Sequence, residues 1–218
     1  MVPLLFLLIV IAALILFYFG TGKNRKVFLY FLVWQLIISS LALLRIFEQK
    51  PGIFIAVIIG TVLLTIVALK SIKTAAQNSR LLLSIHVLRI PVELVLYQLY
   101  LQHKMPLSMT YKGINFDIIM GISALFLLAY NLLSGKQINR SFLIAWNILG
   151  IGFLLFIVVL AILSSPLPIQ QFAFDQPNIA VLAFPYCLLP AGVVPLVLMA
   201  HILLLKGEKR RSFSKDNL

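Results

Sequence analysis

Apolar residues run along this chain in seven blocks of about twenty, at 2–20, 27–45, 52–69, 81–101, 114–133, 141–163 and 179–205, separated by short polar segments. An α-helix rises about 1.5 Å per residue, so each block is long enough to cross the roughly 30 Å hydrocarbon core of a bilayer. The pattern predicts an all-α fold: a polytopic membrane helical bundle with seven transmembrane helices. Connections this short leave no room for a separate soluble domain. We therefore expect a single transmembrane domain over 1–205 and a short basic cytoplasmic tail over 206–218.

The fourth block breaks the apolar rule. Within His86-Val-Leu-Arg89-Ile-Pro91-Val-Glu93-Leu-Val-Leu-Tyr97-Gln-Leu-Tyr100, the polar residues His86, Arg89, Glu93, Tyr97 and Tyr100 share one helix face about 80° wide at roughly 100° per residue. A charge at the bilayer centre costs roughly 2.5–3.5 kcal/mol on insertion scales, so this face must meet protein, water or a ligand. Pro91 removes the helix hydrogen bond to the carbonyl of Val87, which predicts a kink between Arg89 and Glu93. The seventh block carries Pro185, Pro190 and Pro195. The latter two free the carbonyls of Tyr186 and Ala191, which suggests an irregular segment lining a cavity.

Charge sets the expected topology. Thirteen of the basic residues (Lys23, Arg25, Lys26, Lys70, Lys73, Arg80, Lys136, Arg140, Lys206, Lys209, Arg210, Arg211 and Lys215) lie in one set of loops and the tail. Four (Arg45, Lys50, Lys104 and Lys112) lie in the other set. The positive-inside rule then puts the N-terminus outside and the C-terminus inside. The net charge of +12 is thus a topology signal. Its residues are scattered among short loops, so no nucleic-acid partner is expected. The bilayer itself is the expected partner, with anionic headgroups attracting the tail. Hydrophobic residues make up 62% of the chain and charged ones 11%, far from the roughly 45–50% apolar share of soluble domains.

Smaller features change little. The first block has no basic n-region and no small-residue cleavage pattern, so it is read as a helix and not a signal peptide. The single cysteine, Cys187, is read as packing. The sequon Asn139-Arg-Ser141 falls in a predicted cytoplasmic loop, where glycosylation is not expected. No internal repeat of the transporter kind is evident.

Depth then becomes informative. In this topology His86 and His201 each lie roughly 6–8 Å from the cytoplasmic boundary. Gln35, Tyr130, Asn131 and Asn147 form a secondary set of candidate cavity residues, and Thr61, Thr65, Asp117, Ser39 and Ser40 lie in the spans as well. Three chemistries compete for this constellation. In a structural role, Arg89 and Glu93, four residues apart, pair with each other and fasten helix 4 to helix 7. In a ligand site, His86, Arg89, Glu93, Tyr97, Tyr100, Tyr186 and His201 bind a small molecule or lipid, with Arg89 as anion clamp, Glu93 as counter-charge, the tyrosines as walls and the histidines as floor. In a metal or haem centre, redox or hydrolytic, His86 and His201 are the ligands.

Spacing weighs against the last of these. A catalytic zinc needs three protein ligands, and Glu93 is about 10.5 Å along the helix from His86. His103, Met105 and Met109 are a loose set of soft ligands for copper. Retinal is not expected, because a Schiff base needs a lysine near the middle of the seventh helix and the only candidate, Lys206, lies at its inner end. The His-triad membrane hydrolases have two histidines four apart, a spacing that His201-Ile-Leu-Leu-Leu lacks. No catalytic residue is assigned, the cofactor is unknown, and binding is favoured over catalysis. The loop Ser164–Asn178, without Lys or Arg, reads as a lid, and Asp175 or Asn178 as caps of the seventh helix.

The stretches His86-x-x-Arg89-x-Pro91-x-Glu93, Phe174-Asp-Gln-Pro-Asn178 and Phe184-Pro185 through Pro195 to His201 resemble an uncharacterised family of bacterial seven-helix membrane proteins of unknown function. That resemblance implies a bacterial inner (cytoplasmic) membrane location and the same bundle. It implies no activity, cofactor or signalling partner. The functional expectation is a polar intramembrane cavity between helices 4 and 7, binding a small amphipathic or anionic ligand as sensor, receptor or carrier.

Overall fold

The computed structural model describes residues 1–73 and 77–215, the side chains of 209–215 excepted, and every regular element among the described residues is helical. In chain order these are α1 (Val2–Gly20), α2 (Arg25–Leu43), the short α3 (Ile46–Gln49), α4 (Phe54–Ser71), α5 (Ser79–Val87), α6 (Arg89–Leu101), α7 (Asp117–Ser134), α8 (Arg140–Leu163) and α9 (Val194–Lys215). Together with their leading turns they make seven segments long and apolar enough to cross a membrane. The side chains of Lys209, Arg210, Arg211 and Lys215 in the expected tail lie outside the described residues, as do 216–218. The backbone of that tail continues α9 as helix to Lys215.

Helices that start from the basic end share one device. Asn24, Asn78 and Asn139 cap α2, α5 and α8, each accepting from a backbone N–H of the first turn at 3.1–3.2 Å. Gly135 closes α7 in the left-handed conformation, φ +63°.

The two polar segments are the central ones. About half of the α5–α6 segment and 61% of Leu189–Glu208 are buried, against 22–33% of the other five. Side chains such as Leu63, Leu125, Phe126 and Ile148 are exposed on the outer faces. A helix that is apolar all round and half exposed fits hydrocarbon surroundings, whereas the polar stripe is held in the middle of the bundle.

Three departures from the sequence pattern matter for the site. The fourth segment breaks at Leu88 into α5 and α6, where Pro91 leaves the carbonyl of Val87 without its helical donor. The seventh long helix begins at Leu189, not 179. Residues 179–188 hold a 3₁₀ turn, Ala180–Leu182, and a cis Phe184–Pro185 bond, and a π-turn at Leu189–Val193 leads into α9. Prolines at 177, 185 and 190 deny those turns the N–H groups an α-helix needs. Neither Asp175 nor Asn178 therefore caps the seventh helix. Asp175 is exposed, and buried Asn178 bonds to Ser165 Oγ (3.2 Å) and, through its backbone N–H, to Ser164 O (2.8 Å) at the end of α8.

Finally, α7 begins at Asp117, well below the end of α6. Gly121 lies so close to α6 that a Cβ there would sit 2.8 Å from Ile90 Cγ1 and 3.2 Å from Arg89 Cβ. The preceding loop folds back into the bundle, burying Met105, Met109, Thr110 and Asn115. His103 stays exposed and contacts Gln176, so the soft-ligand set His103, Met105 and Met109 is not brought together as a site.

Candidate functional site

The polar stripe of the fourth segment divides into three environments. At the end nearest the basic loops, His86 and His201 stack with ring centroids 3.9 Å apart and planes tilted by 33°, with Trp146 packed against both. His201 Nε2 lies 3.3 Å from Arg89 Nη2, and its Nδ1 lies 2.8 Å from Asn147 Oδ1. A guanidinium only donates, so Nε2 accepts and the imidazole carries its proton on Nδ1, which donates to Asn147. Asn147 in turn donates to Leu143 O at 2.7 Å. Arg89 Nη1 forms an ion pair with Asp117 Oδ1 at 3.4 Å, and Nη2 approaches Gly150 O at 3.4 Å. A Cβ on Gly150 would overlap the His201 ring, so only glycine admits this seat for the imidazole.

This network revises two expectations. The partner of Arg89 is Asp117 of α7, and no Arg89–Glu93 ion pair is formed. Helical side chains lean toward the N-terminus, so Arg89 reaches away from Glu93 toward α8 and α9. Nor does the histidine pair fit a metal or haem. Its stacked rings leave no space for a porphyrin, and both nitrogens of His201 are engaged. Among the described residues no group of three or more His, Cys, Asp or Glu is disposed to hold a metal ion. The ring nitrogens of His86 have no hydrogen-bond partner among the described residues, and the ring is packed wholly against protein.

The second environment begins one helical turn on. Glu93, 1% exposed, accepts a hydrogen bond from Asn115 Nδ2 through Oε1, while its Oε2 has no partner among the described residues. Asn115 also donates to Met109 O at 3.1 Å and accepts from the backbone N–H of Asp117 at 3.1 Å. One side chain thus holds the re-entrant loop, starts α7 and orients Glu93. Asn115 was missed in the sequence, because it sits just inside the fifth apolar block and only the folded-back loop brings it to α6.

Glu93, Asn115 and Asp117 form one polar wall of a cavity of about 370 Å³, at the small end of the roughly 300–1,000 Å³ of ligand pockets. Its other walls are apolar faces of α4, α6, α8 and α9, including Val57, Leu96, Val158 and Leu198. α4 and α8 flank it, α4 resting on α9 and its π-turn and α8 resting on α9. Lining residues on α4 run from Phe54 to Leu69, about 22 Å along the helix. Ser165, Leu167, Asn178 and Val181 of the loop after α8 close one end. That loop is held by Gln176, which donates to Tyr100 O (3.1 Å) and Met105 O (2.6 Å).

The third environment is aromatic. Tyr97 stacks loosely with Tyr100 (5.9 Å) and Tyr111 (5.2 Å), and the Lys112 ammonium lies over the Tyr97 ring and donates to its hydroxyl at 2.8 Å. The hydrogen bond to Tyr97 raises the pKa of this exposed lysine above its ordinary value.

Several candidate residues lie away from all three. Tyr186 packs on Phe6 of α1. Gln35 faces Gly192 in the π-turn, with its Nε2 unpartnered among the described residues. Tyr130 is 49% exposed, and Asn131 bonds to Arg80 Nε (2.7 Å) and Lys136 O at the basic end. Of the secondary set, only Asn147 joins the histidine network. Arg89, expected as an anion clamp, does not line the cavity.

Residues 46–207 match the family model described as a domain of unknown function (DUF8737), and the chain belongs to that family. No curated protein matches. No solved structure matches.

Proposed function

We propose that this member of an uncharacterised family is an integral protein of the bacterial inner membrane, N-terminus outside and C-terminus inside, that binds an amphipathic molecule drawn from the bilayer, as sensor or carrier. The asymmetry of basic residues supports the orientation. A C-terminal reporter active only in the cytoplasm checks it.

The observation that carries the binding reading is the cavity between α4 and α8, mostly apolar along its length, with Glu93, Asn115 and Asp117 on one wall and Ser165 and Asn178 at one end. Val62, Ile66 and Leu155 line the cavity and are exposed at its rim, where hydrocarbon chains would cover them. A molecule dissolved in the membrane therefore reaches the cavity sideways, with no aqueous passage. The cavity lies against α6 and α9 and opens between α4 and α8. The ligand is amphipathic; with Arg89 engaged elsewhere, an anionic preference loses its support.

The test is thermal unfolding of the delipidated full chain in detergent, with and without a total membrane lipid extract. A ligand bound only by the folded state raises stability by RT ln(1 + [L]/Kd). We expect a rise in Tm that is lost in Val158→Trp, whose indole fills the cavity. Equal rises in both proteins would refute the reading.

A further inference from the structure

Resting on that reading, we infer that the cavity holds one hydrocarbon chain of an anionic phospholipid, with the head group at the basic end of the bundle and the chain tip at the closed end. Polar residues border the cavity, yet it presents almost only carbon. Thr61 and Thr65 spend their hydroxyl protons on Val57 O (2.8 Å) and Thr61 O (2.7 Å), one turn back along α4. Ser165 donates to Ala161 O at 2.6 Å, and Asn115 directs its amide at Glu93 and Met109 O. Glu93 Oε2 and Asn178 Oδ1 are enclosed in protein. A polar group entering here would lose its hydrogen bonds, so the part of the ligand inside is hydrocarbon.

Size selects a single chain. Carbon–carbon bonds of about 1.52 Å at angles near 111° advance an extended chain by about 1.25 Å each, so the 22 Å of lining along α4 matches about 18 bonds, the reach of one fatty acyl chain. At roughly 30 Å³ for each small group, as for water in the liquid, a cavity of about 370 Å³ takes about twelve groups, most of one chain and not two.

Direction follows from the two ends. Ser165, Leu167, Asn178 and Val181 close one of them. α6 and α8 line the cavity only with residues 92–96 and 154–162, in their halves away from the basic loops. Toward the basic end the lining therefore reduces to α4, with Thr65, Ile66 and Leu69, and α9, with Leu198 and Ile202. Lys70 and Lys206 stand one turn beyond Ile66 and Ile202 on the same helix faces, and Lys73 follows the end of α4. All three are exposed, and none is in an ion pair among the described residues. The two helix ends are neighbours, since a Cβ on Gly207 would stand 3.7 Å from Gln77 Oε1 in the connection that follows α4. Asn24 donates to Ser71 O at 3.1 Å, which brings Arg25 and Lys26 to the same place. Glu208 is buried on another flank of α9, beside Arg80 and Asn131. Arg89 is engaged elsewhere, so an anionic head meets its cations at this mouth, outside the hydrocarbon.

The experiment uses the full chain in phosphatidylcholine nanodiscs with trace phosphatidylglycerol or phosphatidylcholine probes of identical chains, each with a diazirine at the tip of one chain. Labelled peptides are mapped by mass spectrometry. We expect the phosphatidylglycerol probe to label the closed end, at residues such as Ser165 and Val181, about tenfold more than the phosphatidylcholine probe. That excess should vanish in the triple variant Lys70→Gln, Lys73→Gln, Lys206→Gln, which keeps ten of the thirteen basic residues of its side and with them the orientation. Equal cavity labelling by the two head groups, an excess that survives the triple change, or tip labelling at Leu69 and Ile202 in place of the closed end overturns the inference and leaves lipid binding standing. Labelling confined to the outer faces of the bundle, with none in the cavity, overturns both.

Discussion

Arg89 and Glu93 stand one turn apart on the same helix face, both buried, yet they belong to different kinds of surroundings. Arg89 is enclosed by His201, Gly150 and Asp117, contacts drawn from three other helices. Glu93 has one oxygen held by Asn115 and the other without a hydrogen-bond partner among the described residues, and the residue borders the cavity. The difference teaches that a polar stripe in an apolar helix need not be one site. Here a sealed network locks α6 to α7, α8 and α9, and that lock holds a neighbouring carboxyl beside open space.

The largest expected effect comes from breaking the sealed side. Arg89→Leu strands Asp117 and should lower stability by about 3–5 kcal/mol, read from thermal or denaturant unfolding in detergent. Adding Asp117→Leu should recover much of that loss, whereas adding Glu93→Gln should not. Recovery through Glu93 instead would mean that the helical neighbours are the true pair.

Next in size is the glycine that admits His201. Gly150→Ala should cost about 1–3 kcal/mol, while Gly152→Ala, two residues on, where an added Cβ meets nothing within 4 Å, should be close to neutral. Equal losses by unfolding would show that helix propensity or lipid contact, not the histidine seat, sets the penalty.

On the open side, Glu93→Gln should change stability by less than about 1 kcal/mol, since the swap keeps the volume and the Oε1 acceptor. His86→Phe should likewise fall within about 1 kcal/mol, because the imidazole offers its neighbours packing and no hydrogen bond. The smallest effect belongs to Lys112→Met, which should leave Tm unchanged. Its raised pKa means that whatever the Tyr97 contact contributes is present below the ordinary lysine range and lost only as pH rises through the higher folded value. Because the lysine is exposed that contribution is small, and it should not vary with pH near neutrality.

Much of this was legible in the sequence and some was not, for local reasons. Period and length marked the spans, and Pro91 marked an interruption of the fourth one, expected between Arg89 and Glu93 and found at Leu88, because both act within one turn of helix. The matched depth of His86 and His201 anticipated that they could meet. Asp117 as the partner of Arg89 was not legible. The pairing depends on a loop folding back so that α7 starts inside the bundle, and apolar residues such as Met105 and Met109 gave that loop no distinctive polar pattern. Gly121 and Gly150 act through the absence of a side chain, which hydropathy does not register. The seventh helix was drawn ten residues too long because Ala180, Val181 and Leu182 are as apolar as helix residues, while the prolines around them forbid the helix.

The most direct measurement is native mass spectrometry of the full chain released from mild detergent, comparing wild type with Val158→Trp on the open side and His86→Phe on the sealed side. The account predicts a stoichiometric lipid-like mass on the wild type and on His86→Phe that is absent from Val158→Trp. Loss of that mass from His86→Phe with retention on Val158→Trp would contradict it, and would move the ligand from the cavity to the histidines.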